Sequence, residues 1–172
     1  MVKSMFQCNP VKTTHDDWFS RKKTWEDIIQ FIPSDKVIWE ACMKDSTSNS
    51  PIYLQELGFV VDWNVNEDIF TQQKRDDSII VTNLPFTLKK EIFQHLKTIE
   101  QPFIILAPST CLHTKYFVEI FKDEKIQLFV PSSKRQFDKY VDGKKNEGPD
   151  NCSFYTLYIC YKAGLDHDVN FI

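Results

Sequence analysis

Glycine is scarce in this chain, with four among 172 residues against fourteen phenylalanines. So little glycine excludes an architecture built on glycine turns and points to regular elements with bulky packing. The five cysteines, at 8, 42, 111, 152 and 160, are odd in number and never form CxxC spacing. That excludes a zinc ribbon or a disulfide framework, and reduced thiols are expected. His15, His95, His113 and His167 never pair at i, i+4, so a helical metal site has no ligands. No apolar run reaches membrane-spanning length, and no charged start leads into an apolar segment. A soluble intracellular protein, cytoplasmic or nuclear, is expected, with no membrane partner. The net charge of −3 gives no global attraction to nucleic acid, which a local patch would have to hold.

What is present suits one domain with a substantial core, since 42% of the residues are apolar and 14% aromatic. Residues 1–17 read as a polar tail, and 18–172 as the domain. Apolar spacing predicts helices over 21–31, around 52–57 with Gly58 as C-cap, over 88–99 and over 114–121. Buried strands are expected at 36–40, 59–61, 78–82, 103–106, 126–130 and 154–161. Between the last two lies a polar, basic and aromatic stretch, 131–153. Continuous apolar strands separated by helices predict an α/β fold with a mostly parallel sheet. The last two strands, with no helix between them, predict an antiparallel C-terminal hairpin closing one edge. That is the outline of a compact, single-domain Rossmann-like methyltransferase sheet. Ligands of such sheets bind at the carboxyl ends of the strands, where Glu40, Asp68 and Asn83 fall.

Asn83-Leu84-Pro85-Phe86 follows the clearest strand, Ser78–Thr82, and precedes an amphipathic helix. An exocyclic amine on adenine is a poor nucleophile because its lone pair is delocalised into the ring. The Asn83 oxygen and the Leu84 carbonyl can accept its two hydrogens and draw the nitrogen toward tetrahedral geometry. Pro85 stiffens the turn, and Phe86 offers a face to the base. With an activated methyl donor the remaining task is positioning, and no strong base is needed.

These residues resemble the (Asn/Asp/Ser)-x-Pro-aromatic motif of amino-methyltransferases that use S-adenosylmethionine. A closer resemblance is to class I adenine-N6 methyltransferases, of the small viral and phage DNA adenine methyltransferase type. Phe19-Ser20-Arg21-Lys22 with Trp25, then Trp39 to Ser46, Asp68-Ile69-Phe70 and Asn83 to Phe86 follow that family's order over about 18–162. The resemblance implies that Glu40, Ala41, Cys42, Asp45 and Ser46 wrap the methionine part of the cofactor. Ser20 and Lys22 would approach its carboxylate, Phe19 would also touch the cofactor, Asp62 would lie at its ribose, and Asp68 and Ile69 at its adenine. It also implies a virus-encoded protein. Lys44 and Ser46 stand where the family has glycine. This departure motivates a second expectation, a fold-retaining binding or regulatory subunit with weakened catalysis.

The 131–153 stretch supplies Lys134, Arg135, Phe137 and Tyr140 as candidate contacts to a nucleic-acid strand, DNA ahead of RNA. Phe137 is the candidate clamp for a flipped base. With no room for a target-recognition domain, short sequence preference or a protein partner for specificity is expected. Methylation of another planar amide, such as a protein glutamine, is a third reading of the motif.

Overall fold

The computed structural model describes residues 18–43, 48–141, 144–145 and 153–172. In chain order the strands are β1 (Trp18–Ser20), β2 (Val37–Glu40), β3 (Val61–Trp63), β4 (Ser78–Asn83) and β5 (Phe103–Pro108). There follow β6 (Ile126–Val130), β7 (Phe137–Val141), β8 (Lys144–Lys145), β9 (Thr156–Tyr161) and β10 (Val169–Phe171). The helices are α1 (Lys22–Glu26), α2 (Ser50–Glu56), α3 (Lys89–Thr98) and α4 (Lys115–Phe121).

Seven strands form one sheet in the order β3-β2-β4-β5-β9-β6-β10. All neighbours are parallel except β9, which runs against both β5 and β6. A parallel sheet with one reversed strand inserted before its last members is the plan of a Rossmann-like methyltransferase sheet. The β6–β9 hairpin does not close the edge, because β10 adds in parallel outside β6.

Strand alternation divides the core into two layers. Ile80, Phe103, Ile105 and Ile159 face α3 and α4, where Phe93 meets Phe103, Phe117 and Phe121 edge-on or tilted at 5.4–5.8 Å. Ile38, Ile79, Val81, Leu106 and Tyr158 face α1 and α2 through Trp25, Ile28 and Leu54. Each such side chain contributes roughly 1.5–3 kcal/mol by leaving water. Gly58 ends α2 at φ 96°, its N–H bonding the Gln55 carbonyl at 2.9 Å, as expected of a C-cap glycine.

The helix expected over 21–31 breaks after Glu26 and resumes as a 3-10 turn at Ile29–Phe31. The buried Tyr158 hydroxyl donates to the Thr24 carbonyl at 2.6 Å, taking the acceptor that Ile28 N–H would use in an α-helix. Ile28 N–H turns instead to the Trp25 carbonyl. The stretch read as a loop contains β7 and β8, which join β1 in a small antiparallel sheet. The tail expected at 1–17 lies outside the described residues. No helix among the described residues is long and apolar enough to cross a membrane.

Candidate active site

Asn83 is the last residue of β4, at the carboxyl edge of the large sheet, paired with Leu106 of β5. Its side-chain Nδ2 donates to the Trp18 carbonyl of β1 at 2.9 Å. Exchanging the amide atoms would set two oxygens against each other, so this bond fixes the orientation. The other end, Oδ1, is buried with no hydrogen-bond partner among the described residues. A buried acceptor left unpaired costs free energy, and few persist without a reason. Asn83 is not a helix cap, since the N-cap of α3 is Leu88.

The turn that follows is held by Leu88 N–H on the Pro85 carbonyl at 3.2 Å. Leu84 continues the pairing with β5, its N–H on the Leu106 carbonyl at 3.3 Å, and its side chain enters the core. Phe86 is half-buried, meets Phe154 edge-on at 4.8 Å, and carries the Lys89 ammonium 5.5 Å from its ring centre. Lys89 also donates to the Phe86 carbonyl.

Glu40 ends the neighbouring β2, buried at 3% exposure. Its carboxylate accepts from the Thr82 hydroxyl and, at 3.3 Å, from Cys42 N–H. Loss of solvent pushes its pKa up to about 7, against the opposing pull of those two donors. Thr82 was not among the residues singled out from sequence, although it joins the two strand ends on which the site depends. Ala41 is buried beside Glu40 and Cys42 is half-buried. Asp45 and Ser46 lie outside the described residues.

The remaining cofactor candidates do not all converge here. Ser20 is buried on β1, its hydroxyl without a partner among the described residues. Phe19 points to the opposite face of that strand and packs edge-on against Tyr140 at 5.0 Å. Lys22 ion-pairs with Glu56 of α2 at 2.6 Å and so is directed away from the strand ends. Asp62 sits in mid-strand, because β3 starts two residues later than expected. It pairs with Arg75 at 2.6 Å, and Arg75 also binds Glu67 and lies 3.9 Å over Trp39. Asp68 caps the short turn Ile69–Thr71 through Phe70 N–H at 3.0 Å, and Ile69 is buried in the core.

The expected substrate contacts are rearranged as well. Phe137 is 2% exposed, packed between Trp18 and Phe154, so its ring is closed to a base in this conformation. Apolar burial on the inner face of β7 explains it. Arg135 is ion-paired with Asp27 beneath the surface and is spent on holding α1. Lys134 lies 5.6 Å from the ring of Tyr155, and Tyr140 is taken up by Phe19. What does gather near Asn83 is Trp18, Phe86 and Phe154, of which only Phe86 was legible as a site residue. No cluster of three metal-ligating side chains occurs among the described residues.

No protein-family model matches the chain, and no curated protein matches it. Among solved structures it is similar to an S-adenosylmethionine-dependent O-methyltransferase of Thermotoga maritima, at 10% identity and a TM-score of 0.41. That likeness covers 81% of this chain and 64% of the other, so the chain spans somewhat under two thirds of that protein's length. A putative methyltransferase of Thermoplasma acidophilum is similar at 11% identity and a TM-score of 0.34, covering 90% and 79%. Strand order and polarity define the fold without these likenesses.

Proposed function

We propose that this chain is an S-adenosylmethionine-dependent methyltransferase acting on an exocyclic amine, the N6 of adenine in nucleic acid. The observation that carries the reading is the Asn83 oxygen, at a strand end without a partner among the described residues, on an amide held in direction by the Trp18 carbonyl. A hydrogen-bond acceptor held in that way suits an amine donor. The Leu84 carbonyl, next in the chain, supplies the second acceptor. Together they hold both amine hydrogens and leave the nitrogen lone pair to project from the ring plane.

The residues present fit the cofactor's polar end. Glu40 ends β2 with a buried carboxylate, followed by small Ala41 and Cys42, and the buried Ser20 hydroxyl has no partner among the described residues. When bound, S-adenosylmethionine supplies an electrophilic methyl group whose sulfonium leaves as a neutral thioether. The chain's own part is to bind, orient and exclude water, and it requires no general base of high pKa.

The test is calorimetry with S-adenosylmethionine, followed by methyl transfer to oligonucleotides with and without adenine. Cofactor binding and N6-methyladenine by mass spectrometry are expected. Absence of cofactor binding at millimolar concentration overturns the enzyme reading, and transfer independent of adenine overturns the N6 assignment.

A further inference from the structure

Beside Asn83, five side chains form one continuous row along the carboxyl edge. The Lys139 ammonium lies 5.1 Å from the Trp18 ring centre. Trp18 meets Phe154 edge-on at 5.9 Å and 89°, and Phe154 meets Phe86 edge-on at 4.8 Å and 89°. Lys89 closes the other end, 5.5 Å from the Phe86 ring. The row draws on three separate parts of the chain: the small sheet, the segment before β9, and the turn after β4. All three rings are half-buried. Asn83 is tied directly to this row through its bond to the Trp18 carbonyl.

The row has aromatic surface in its middle and a cation at each end. The nearest acid in sequence, Asp138, sits on the opposite face of β7 from Lys139 and pairs with Arg21 at 2.8 Å. A second pair, Lys134 over the two-thirds-exposed Tyr155, repeats the pattern one residue from Phe154. A flat aromatic ligand flanked by negative charge on both sides matches this layout, and a nucleotide within a strand is that ligand. Paired bases in a duplex offer only their edges in the grooves, with their faces stacked on one another. Half-buried rings cannot reach those faces unless the base has first been flipped out.

We propose that this cation-capped aromatic row seats an unpaired nucleic-acid strand, with a phosphate at each of Lys139 and Lys89 and a base held against the rings between them. The proposal rests on the methyltransferase reading only in making Asn83 the group that meets the seated base. Strand selectivity here comes from stacking and charge, with no need for an added recognition domain.

The experiment is fluorescence anisotropy of end-labelled, adenine-containing oligonucleotides, single-stranded and duplex, measured without cofactor over a series of salt concentrations. The single strand should bind at least tenfold more tightly than the duplex. Lys89→Gln with Lys139→Gln should weaken single-strand binding at least tenfold. The same pair should flatten the slope of log affinity against log salt by about 1.4, for two lost phosphate contacts at ~0.7 each. Trp18→Leu should weaken binding about tenfold with the slope unchanged, and circular dichroism confirms that each variant is folded. If Trp18→Leu fails to fold, the lysine pair alone decides. Equal or tighter duplex binding, no measurable strand binding, or an unchanged slope in the lysine pair overturns the proposal. Because this binding assay contains no cofactor, its outcome does not depend on catalysis, and strand binding here combined with failed transfer in the cofactor-supplied assay counts against the enzyme reading alone.

Discussion

The Thr82 hydroxyl donates to the Glu40 carboxylate, tying the end of β2 to the residue that precedes Asn83. Both side chains are buried, at 0% and 3% exposure. The same carboxylate accepts from Cys42 N–H, so one acid organises the start of the loop after β2 and the end of β4 together. Glu40 therefore couples the position of Cys42 to that of Thr82, the residue before the Asn83 turn.

Glu40 should impose a pH dependence on stability. Its folded pKa of about 7 lies above the ordinary 4.5 because burial penalises the charge. Between those values the native carboxyl keeps a proton that an unfolded one has lost. The native state thus binds more protons there, and this contribution to stability is complete below about 4.5 and lost as pH rises through 7. The full effect is on the order of 3 kcal/mol. Glu40→Gln carries no charge and should gain on the natural protein by up to that amount between pH 4.5 and pH 8. Urea unfolding of both proteins at the two pH values checks this. A stability difference that is the same at both would refute the assignment.

Thr82 should matter through its hydroxyl rather than its bulk. A hydrogen bond to an ionised group contributes roughly 1.5–3 kcal/mol, about twice one between neutral partners. Thr82→Val should lose that amount at pH 8, whereas Thr82→Ser keeps the donor. A double-mutant cycle of Thr82→Val with Glu40→Gln should return a coupling of about 1 kcal/mol or more. A coupling near zero would show that the two groups act independently.

Strong local patterns were legible in the sequence, and long-range commitments were not. Ser78–Thr82 reads as a strand because four β-branched residues, Ile79 to Thr82, run together after Ser78, and the structure buries all five positions. Asn83 falls at its end for the same reason, so the candidate turn could be placed from sequence. Phe137 and Arg135 looked like exposed substrate contacts because basic and aromatic residues interleave around them. Alternation along β7 instead turns Phe137 inward, and Asp27, more than a hundred residues earlier, claims Arg135. Asp62 was misplaced by a two-residue shift in β3, which changes what a strand residue neighbours. Trp18 carried no signal at all, because its part in the site is a backbone carbonyl and a ring packed against distant Phe154.

The Arg135–Asp27 pair predicts a separation of stability from nucleic-acid affinity. The side chains are 10% and 13% exposed, so solvent screening is weak. Breaking a buried pair typically costs about 3–5 kcal/mol because one charge is stranded. Here Lys23 also reaches Asp27, at 2.6 Å, and limits the loss to the low end. Arg135→Gln should destabilise by about 3 kcal/mol in denaturant unfolding yet leave oligonucleotide affinity unchanged under native conditions. Weaker binding by a fully folded variant would return Arg135 to the substrate surface.

In the proposed reaction Asn83 has two separable duties, and two substitutions divide them. Asn83→Ala removes both the acceptor and the bond to the Trp18 carbonyl. Methyl transfer should fall about a hundredfold or more, as when one preorganised polar contact is deleted from an active site. Cofactor affinity should stay within a factor of two or three, because Glu40 and Ser20 are untouched. Asn83→Asp keeps an acceptor but has no Nδ2–H for the Trp18 carbonyl, which then faces a carboxylate oxygen. The acid relieves that repulsion by rotating away or by taking up a proton, and either change misdirects the oxygen proposed to meet the amine. Transfer by the Asp variant should therefore lie between those of the natural protein and the Ala variant, and should improve as pH falls and the carboxyl can donate to Trp18. Single-turnover rates from pH 5.5 to 8.5, with cofactor affinity measured in parallel, distinguish these cases. An Asp variant as fast as the natural protein at every pH would mean that the Trp18 carbonyl does not orient the site.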